Sequence, residues 1–139
     1  MAASNEPPRL YPALRYRNAA KMIDWLCEAF GFEVRARYGE GDVVHHAELV
    51  FGSSMIMMGS VRDDDYGKMV GTPDSGGGKS IYIAVDDADA AYAKAKKAGA
   101  VIIQELTDRD YGSREFICRD PEGSVWSFGN YWPKAGEKG

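Results

Sequence analysis

The sequence has few cysteines, no cluster of basic residues and no long apolar run. Its 139 residues include only Cys27 and Cys118, and neither has the spacing of a metal knuckle or a redox motif. We expect both to be core-side thiols in a reducing cytoplasm. The formal net charge of -4, with no Lys/Arg cluster, argues against nucleic acid or anionic lipid as a partner.

The chain also lacks a predicted membrane or export segment. No stretch approaches the roughly 20 consecutive apolar residues that span a bilayer. The residues before Leu10 have no apolar core of a signal peptide. We therefore predict no membrane partner. Because 45% of the residues are hydrophobic, the chain can build a real core, and we expect one compact soluble domain over residues 1–139.

The most informative feature present is an internal repeat. Residues 11–59 and 80–131 each have the pattern of a short strand, a helix and a meander of three strands. Residues 60–79 join them and are rich in aspartate and glycine, which favours a solvated connection, with a lid as the alternative. The repeat predicts an α+β fold of two tandem βαβββ modules that form a cupped mixed sheet, with a concave site where the halves meet.

Each half contains an amphipathic helix between a capping residue and a stop glycine. The gap between the two is 13 residues in both halves, and glycine is free to take the left-handed conformation that ends a helix. The predicted segments are Asn18, Ala19–Phe30 and Gly31 in the first half, and Asp86, Ala88–Ala98 and Gly99 in the second.

Each half also contains a hairpin. In the first, Val43–Phe51 and Ser54–Met58 flank a Gly-Ser turn. In the second, Arg114–Arg119 and Ser124–Tyr131 flank the Asp-Pro-Glu-Gly sequence of residues 120–123, whose proline and glycine suit a four-residue turn.

Strand alternation predicts which side chains face the helices. In Ser80–Val85 the β-branched residues 81, 83 and 85 suit the helix side, which leaves Ser80, Tyr82 and Ala84 on the concave face. The same alternation places Leu49, Phe51, Ile56, Trp126 and Phe128 behind the sheet. It places on the concave face Tyr11, Ala13, His46, Glu48, Met55, Met57, Val125 and Ser127.

Several motifs carry a family resemblance. They are Val85-Asp-Asp-Ala-Asp89, the helix stop Lys97-Ala-Gly-Ala100, the run Arg119-Asp-Pro-Glu-Gly-Ser-Val-Trp-Ser-Phe-Gly129 and the segment His46-Ala-Glu-Leu49. Together they resemble the vicinal oxygen chelate superfamily, in its glyoxalase/bleomycin-resistance-like branch, over about Tyr11 to Pro133. The resemblance implies the glyoxalase/bleomycin-resistance/dihydroxybiphenyl dioxygenase fold, whose members include enzymes and sequestering proteins.

The resemblance also implies where a metal would be bound. Metal-dependent relatives use a His on the first strand and a Glu on the last strand of each half, or variants of these. The matching positions here are Tyr11, Met57, Ser80 and Ser127. A phenol, a thioether and two hydroxyls lack the charge that holds a hard divalent cation. We therefore predict no metal and no cofactor, and the warrant for glyoxalase or dioxygenase chemistry is removed.

Three further features bear on the function. His46 and Glu48 are two apart on a strand and could form an acid/base pair, or bind a metal with His45, although a polar strand face is the more common meaning of this pattern. The segment Gly71–Ser80 resembles a phosphate loop but has Pro73 where the first glycine is required, and a strand follows it. Tyr111 and Arg114, near a concave strand, could reach a ligand's polar end.

The sequence thus favours a metal-independent protein that binds an aromatic or amphipathic small molecule in the cup, with antibiotic sequestration as one role. The alternative is a metal-dependent enzyme of lyase, isomerase or dioxygenase type centred near His46 and Glu48, and a structural subunit is a third possibility. The resemblance implies a homodimer. The predicted ligand-binding residues are Tyr11, His46, Glu48, Met55, Met57, Ser80, Tyr82, Tyr111, Arg114, Val125 and Ser127.

Overall fold

The computed structural model describes residues 6–74 and 76–137, and its elements follow the predicted α+β plan. The chain forms two compact units, Met1–Pro73 (unit 1) and Asp74–Gly139 (unit 2). The elements are β1 (Ala13–Tyr16), α1 (Ala19–Phe30), β2 (Glu33–Glu40), β3 (Val43–Phe51), β4 (Ser54–Ser60), α2 (Asp65–Val70), β5 (Ile81–Ala84), α3 (Ala88–Lys97), β6 (Val101–Asp108), β7 (Arg114–Arg119) and β8 (Val125–Gly129).

Each unit has its own four-stranded mixed sheet. The strand order is β1-β4-β3-β2 in unit 1 and β5-β8-β7-β6 in unit 2. In both, the first strand runs parallel to the last, and the remaining pairs are antiparallel. The helix between the first and second strands of each unit is the crossover that the parallel pair requires. The predicted repeat is therefore a repeat of structure, with one sheet for each half.

Helix α1 has the predicted bounds. The Asn18 side chain accepts a 3.2 Å hydrogen bond from the amide of Lys21, and Gly31 takes the left-handed conformation with φ of 93°. The amide of Gly31 closes the last turn by donating to the carbonyl of Cys27. The buried stripe that packs on the sheet consists of Ala19, Met22, Ile23, Leu26, Ala29 and Phe30.

Helix α3 begins at Ala88, as predicted, and ends at Lys97, one residue earlier than predicted, but its capping residue differs from the prediction. The capping residue is Asp87 and not Asp86, because the Asp87 side chain accepts a 3.0 Å hydrogen bond from the amide of Ala90. A capping residue directly precedes the first helical residue, here Ala88. The predicted stop is observed, since Gly99 has φ of 98°.

The helix-facing side of each sheet is the core. In unit 1 it includes Leu49, Ile56 and Met58, and in unit 2 the rings of Phe116 and Phe128 stack with centroids 5.0 Å apart. The predicted alternation is thus seen in β3, β4 and β8, and β7 alternates in the same way. Fully buried large side chains in the described residues include Tyr16, Leu49, Phe116, Trp126 and Phe128.

The segment 60–79 is more structured than predicted. Strand β4 extends to Ser60, whose hydroxyl accepts a 2.9 Å hydrogen bond from the amide of Val44. Helix α2 then forms behind Asp64, which caps the amide of Gly67 at 2.7 Å. Aspartate is a favoured capping residue, so the aspartates of this segment start a helix here as well as being exposed to solvent. Among the described residues, no helix is long and apolar enough to cross a membrane.

Candidate functional site

In each unit the sheet face turned away from the helix is accessible, and we call it the open face. On β4, Ile56 and Met58 are buried on the helix side, whereas Met55 and Met57 point the other way and are half-buried. Successive side chains of a strand alternate between faces. A surface of half-buried apolar side chains is suited to a ligand because contact would remove more of that apolar area from water.

The open face of unit 1 contains one cross-strand row that joins all four strands. Ala13 pairs with Met57, Met57 with Glu48, and Glu48 with Ala36. Met55 lies two residues before Met57 on β4, and it pairs with Val50. Tyr11 lies two residues before the start of β1. It is half-buried, and the next carbonyl, of Pro12, accepts a 2.9 Å hydrogen bond from the amide of Met57.

His46 and Glu48 form a hydrogen-bonded pair on this open face. The Nε2 of His46 lies 3.0 Å from Oε2 of Glu48, and Arg35 binds the other carboxylate oxygen. The hydrogen bond with His46 has the larger effect and that with Arg35 the smaller, and both hold the pKa of Glu48 below its usual value. The His46 ring also stacks on Tyr38. This side-chain set can accept or donate a hydrogen bond to a ligand and can exchange protons. His45, at a register shift of β3, is exposed.

The open face of unit 2 is built around Tyr82. This residue pairs with Ser127, which in turn pairs with Ile117. The Tyr82 hydroxyl donates a 2.7 Å hydrogen bond to the carbonyl of Tyr131, and the side chain stays 38% exposed. Partial burial, and then the charge of Glu115, raise the pKa of Tyr82. Val125 is half-buried on β8, and Ser80 is exposed just before β5.

Glu115 belongs to this open face and was missed at the sequence level. Its Oε2 accepts a 2.8 Å hydrogen bond from the hydroxyl of Tyr111, and its Oε1 lies 3.4 Å from Nε of Arg109. The Glu115 contact is the main cause that raises the pKa of Tyr111. The available signal was alternation, because Phe116 is a core residue and its neighbour must face the other way.

Arg114, one of the predicted ligand-binding residues, lies on the helix-facing side of the sheet and not on the open face. Its guanidinium binds Asp89 of α3 at 2.9 Å and Asp108 at 3.0 Å. The reason is again parity, since Arg114 shares the helix-facing side with Phe116. Tyr111, by contrast, does reach a polar group of the open face.

Arg15 is a second charged group that sequence reasoning passed over. It lies on β1, only 11% of its side chain is exposed, and it makes a bidentate pair with Asp64 at 2.8 and 3.2 Å. The guanidinium also lies 4.7 Å from the centre of the Tyr66 ring. These contacts tie the start of α2 to the sheet of unit 1, so the pair is structural.

The four positions that a family metal site would use do not fit a divalent ion. Unit 1 supplies Tyr11 and Met57, and unit 2 supplies Ser80 and Ser127. Neither pair contains a carboxylate or an imidazole, which are the usual ligands of Zn²⁺, Mn²⁺ or Fe²⁺. Within residues 6–74 and 76–137 no three His, Cys, Asp or Glu side chains are grouped so as to hold a metal ion.

Comparison with known proteins shows which family has this architecture. A family model described as the Glyoxalase/Bleomycin resistance protein/Dioxygenase superfamily matches residues 10–128. An uncharacterized protein of Mycobacterium tuberculosis (strain ATCC 25618 / H37Rv) is 34% identical over 131 residues, which cover 91% of this chain and 76% of that protein.

Solved structures share the fold. TioX from Micromonospora sp. ML1 has a TM-score of 0.72 and 27% identity, covering 91% of this chain and 98% of its own. TnmS3, an antibiotic binding protein from Streptomyces sp. CB03234, has a TM-score of 0.67 and 15% identity, covering 89% and 95%. The resemblance drawn from the sequence motifs is confirmed. This chain belongs to the glyoxalase/bleomycin resistance protein/dioxygenase superfamily.

Proposed function

We propose that this protein binds an aromatic or amphipathic small molecule on the open faces of its sheets, without a metal ion. The observation that carries the proposal is the chemistry of those faces. Met55 and Met57 in unit 1, and Tyr82 and Ile117 in unit 2, are partly exposed apolar or aromatic side chains on these faces. Small-molecule sites are typically apolar surfaces with a few convergent polar groups.

The polar groups present suit orientation of a ligand. His46 and Glu48 stand beside the methionines of unit 1, and Ser127 stands beside Tyr82 in unit 2. Methionine is flexible and polarizable, so it adapts to aromatic ligands of different shape. Covering one such side chain would contribute about 1 to 2 kcal/mol of binding. Antibiotic sequestration is the role we propose, and the description of TnmS3 as an antibiotic binding protein supports this class of ligand.

The direct experiment is native mass spectrometry of the purified protein to identify a retained small molecule, followed by titration of two charge-introducing variants. Met57→Lys places an ammonium on the open face of unit 1 and should abolish binding there. Met69→Lys is the matched control, because Met69 lies on α2 and is 80% exposed. Equal affinity of the two variants would contradict the proposed surface.

A second candidate function is catalysis at His46 and Glu48. The observation that favours it is the 3.0 Å hydrogen bond between them, because a carboxylate that holds one imidazole nitrogen can orient the other for proton transfer. This candidate is a metal-dependent enzyme of lyase, isomerase or dioxygenase type with an unusual centre. Stoichiometric Zn, Ni, Fe or Mn after dialysis, lost in His46→Gln, would favour it over simple binding.

We also propose an oligomeric state and a cellular setting for the protein. We infer a homodimer, because β2 and β6 are edge strands of their sheets and edges of this kind are commonly covered. We infer a reducing, cytoplasmic setting, supported by the free thiols of Cys27 and Cys118. Neither nucleic acid nor membrane is a proposed partner. Sedimentation of a monomer at micromolar concentration in ordinary salt would contradict the dimer.

A further inference from the structure

Two tyrosine rings and one carboxylate form a corner on unit 2 that the proposed function does not explain. The rings of Tyr111 and Tyr131 meet edge to face, with centroids 5.7 Å apart and planes at 76°. The Tyr111 hydroxyl donates to Glu115, and the Tyr131 carbonyl accepts from Tyr82. Both rings are accessible, at 59% and 49% exposure. We call Tyr111, Tyr131 and Glu115 the aromatic corner.

The absence of a side chain at Gly129 makes room for the side chains of Glu115 and Tyr82. A Cβ on Gly129 would lie 2.5 Å from Cγ of Glu115 and 2.9 Å from the hydroxyl of Tyr82, so only glycine leaves room for both. Ser113 is nearby and 3% exposed. Its hydroxyl is a hydrogen-bonding contact of the Tyr82 side chain.

Glu115 is the carboxylate of the aromatic corner, and its charge is shared with Arg109, which lies 3.4 Å away. Arg114, which would have favoured an anion, is held on the helix side by Asp89 and Asp108. Glu115 takes its place on the open face. The faces of tyrosine rings are electron-rich and attract cations, and a neighbouring carboxylate adds to that attraction.

We propose that the aromatic corner binds the cationic end, a protonated or alkylated amine, of an amphipathic ligand. The inference rests on the proposed function, because it names the ligand class for the open face of unit 2. The ligand's apolar body would lie over Tyr82 and Ile117, and its ammonium between the ring faces and Glu115.

Arg109 is the internal competitor for that position. Its Nε lies 3.4 Å from Oε1 of Glu115. That separation is longer than the roughly 2.7 to 2.9 Å of a strong charge-assisted hydrogen bond. A ligand ammonium can therefore displace Arg109 without breaking a tight pair. Removing Arg109 should consequently strengthen cation binding, whereas it would weaken the binding of an anion.

The test compares three probes by calorimetric and NMR titration of the full chain: benzyltrimethylammonium, neutral 2-naphthol and benzenesulfonate. We expect the cation to bind best and to shift the ring signals of Tyr111 and Tyr131. Glu115→Gln should weaken its binding about five- to tenfold, and Arg109→Gln should tighten it about threefold. The matched control is Glu105→Gln, because Glu105 also binds a tyrosine hydroxyl, that of Tyr92 on α3, but outside the aromatic corner.

Three outcomes separate this inference from the proposed function. Tighter binding of benzenesulfonate, weakened in Arg109→Gln, would overturn the cationic ligand class and leave open-face binding intact. Equal affinity of the cation for Glu115→Gln and for the parent protein would also overturn it. Failure of all three probes to bind would contradict the proposed function itself.

Discussion

The indole Nε1 of Trp126 donates a 3.0 Å hydrogen bond to Oδ2 of Asp120, and both side chains are buried. The other carboxylate oxygen accepts from the amides of Glu122 and Ser124. This one carboxylate therefore fixes the β7–β8 turn and attaches it to the core. The Asp-Pro-Glu-Gly turn was predicted from its proline and glycine, and its first residue proves to be the anchor.

Replacing that anchor should destabilise unit 2. Asp120→Ala leaves a buried indole N–H and two turn amides without their acceptor, and we expect a loss of about 3 kcal/mol in the free energy of unfolding. Urea denaturation measures it. The control Asp110→Ala, in an exposed loop, should change stability by less than about 0.5 kcal/mol. Equal effects would show that the Asp120 contacts contribute little.

The Arg15–Asp64 pair predicts a pH dependence of stability in the acid range. Hydrogen bonds from Arg15 and then from the Gly67 amide hold the pKa of Asp64 well below its ordinary value of 3.8. A carboxylate with a lowered folded-state pKa stabilises the fold above its unfolded pKa, and that contribution is lost as pH falls further. Melting temperatures of the parent should therefore fall more steeply below about pH 4 than those of Asp64→Asn.

The control for this prediction is Asp65→Asn, one residue along in α2, which should keep the parent's steep fall. Parallel curves for the parent and Asp64→Asn would show that the pair does not persist in solution. Added salt should flatten the difference only partly, because the Arg15 side chain is mostly buried.

Tyr82→Ala separates an open-face residue from a core residue. Because Tyr82 is 38% exposed, we expect the ligand-free variant to lose less than about 2 kcal/mol of stability and about 1 to 3 kcal/mol of ligand binding. The contrasting variant is Phe116→Ala, on the helix side and fully buried, which should cost about 3 to 5 kcal/mol of stability. Melts with and without an aromatic ligand measure both. A loss as large as that of Phe116→Ala would place Tyr82 in the core.

Gly129→Ala should displace the side chains above it. The new methyl carbon would stand 2.5 Å from Cγ of Glu115, so the carboxylate must move away from Tyr111. We expect a stability loss of about 1 to 3 kcal/mol from overpacking, and loss of the raised pKa of Tyr111. Spectrophotometric titration of tyrosine measures the second effect. An unchanged titration curve would mean that the close approach at Gly129 is not maintained in solution.

The sequence predicted most of the fold because helix and strand signals here agree with each other. Capping residues, stop glycines and alternation in the hairpins are local properties, and they located α1, β3 and β7 at their observed bounds. The errors were also local. Adjacent aspartates, Asp86 and Asp87, could both cap a helix, and the aspartates near residue 64 were read as solvated.

The candidate site was less predictable because it depends on which side of a strand each charge faces and on what it meets there. Arg114 and Glu115 are neighbours in sequence but lie on opposite faces of β7. The charge that we propose for the ligand depends on that assignment. Contacts such as Tyr82 to Tyr131 span 49 residues, and no local pattern encodes them. A family resemblance supplied the fold, but it did not supply these pairings.

The most direct test of open-face binding is methionine methyl NMR during titration with 2-naphthol. Met55 and Met57 point to the open face of unit 1, whereas Met22 and Met58 are buried on the helix side and serve as internal controls. We expect saturable shifts of the methyl signals of Met55 and Met57, and unchanged methyl signals of Met22 and Met58. Shifts at Met22 and Met58 without shifts at Met55 and Met57 would contradict it, as would a titration in which none of the four responds.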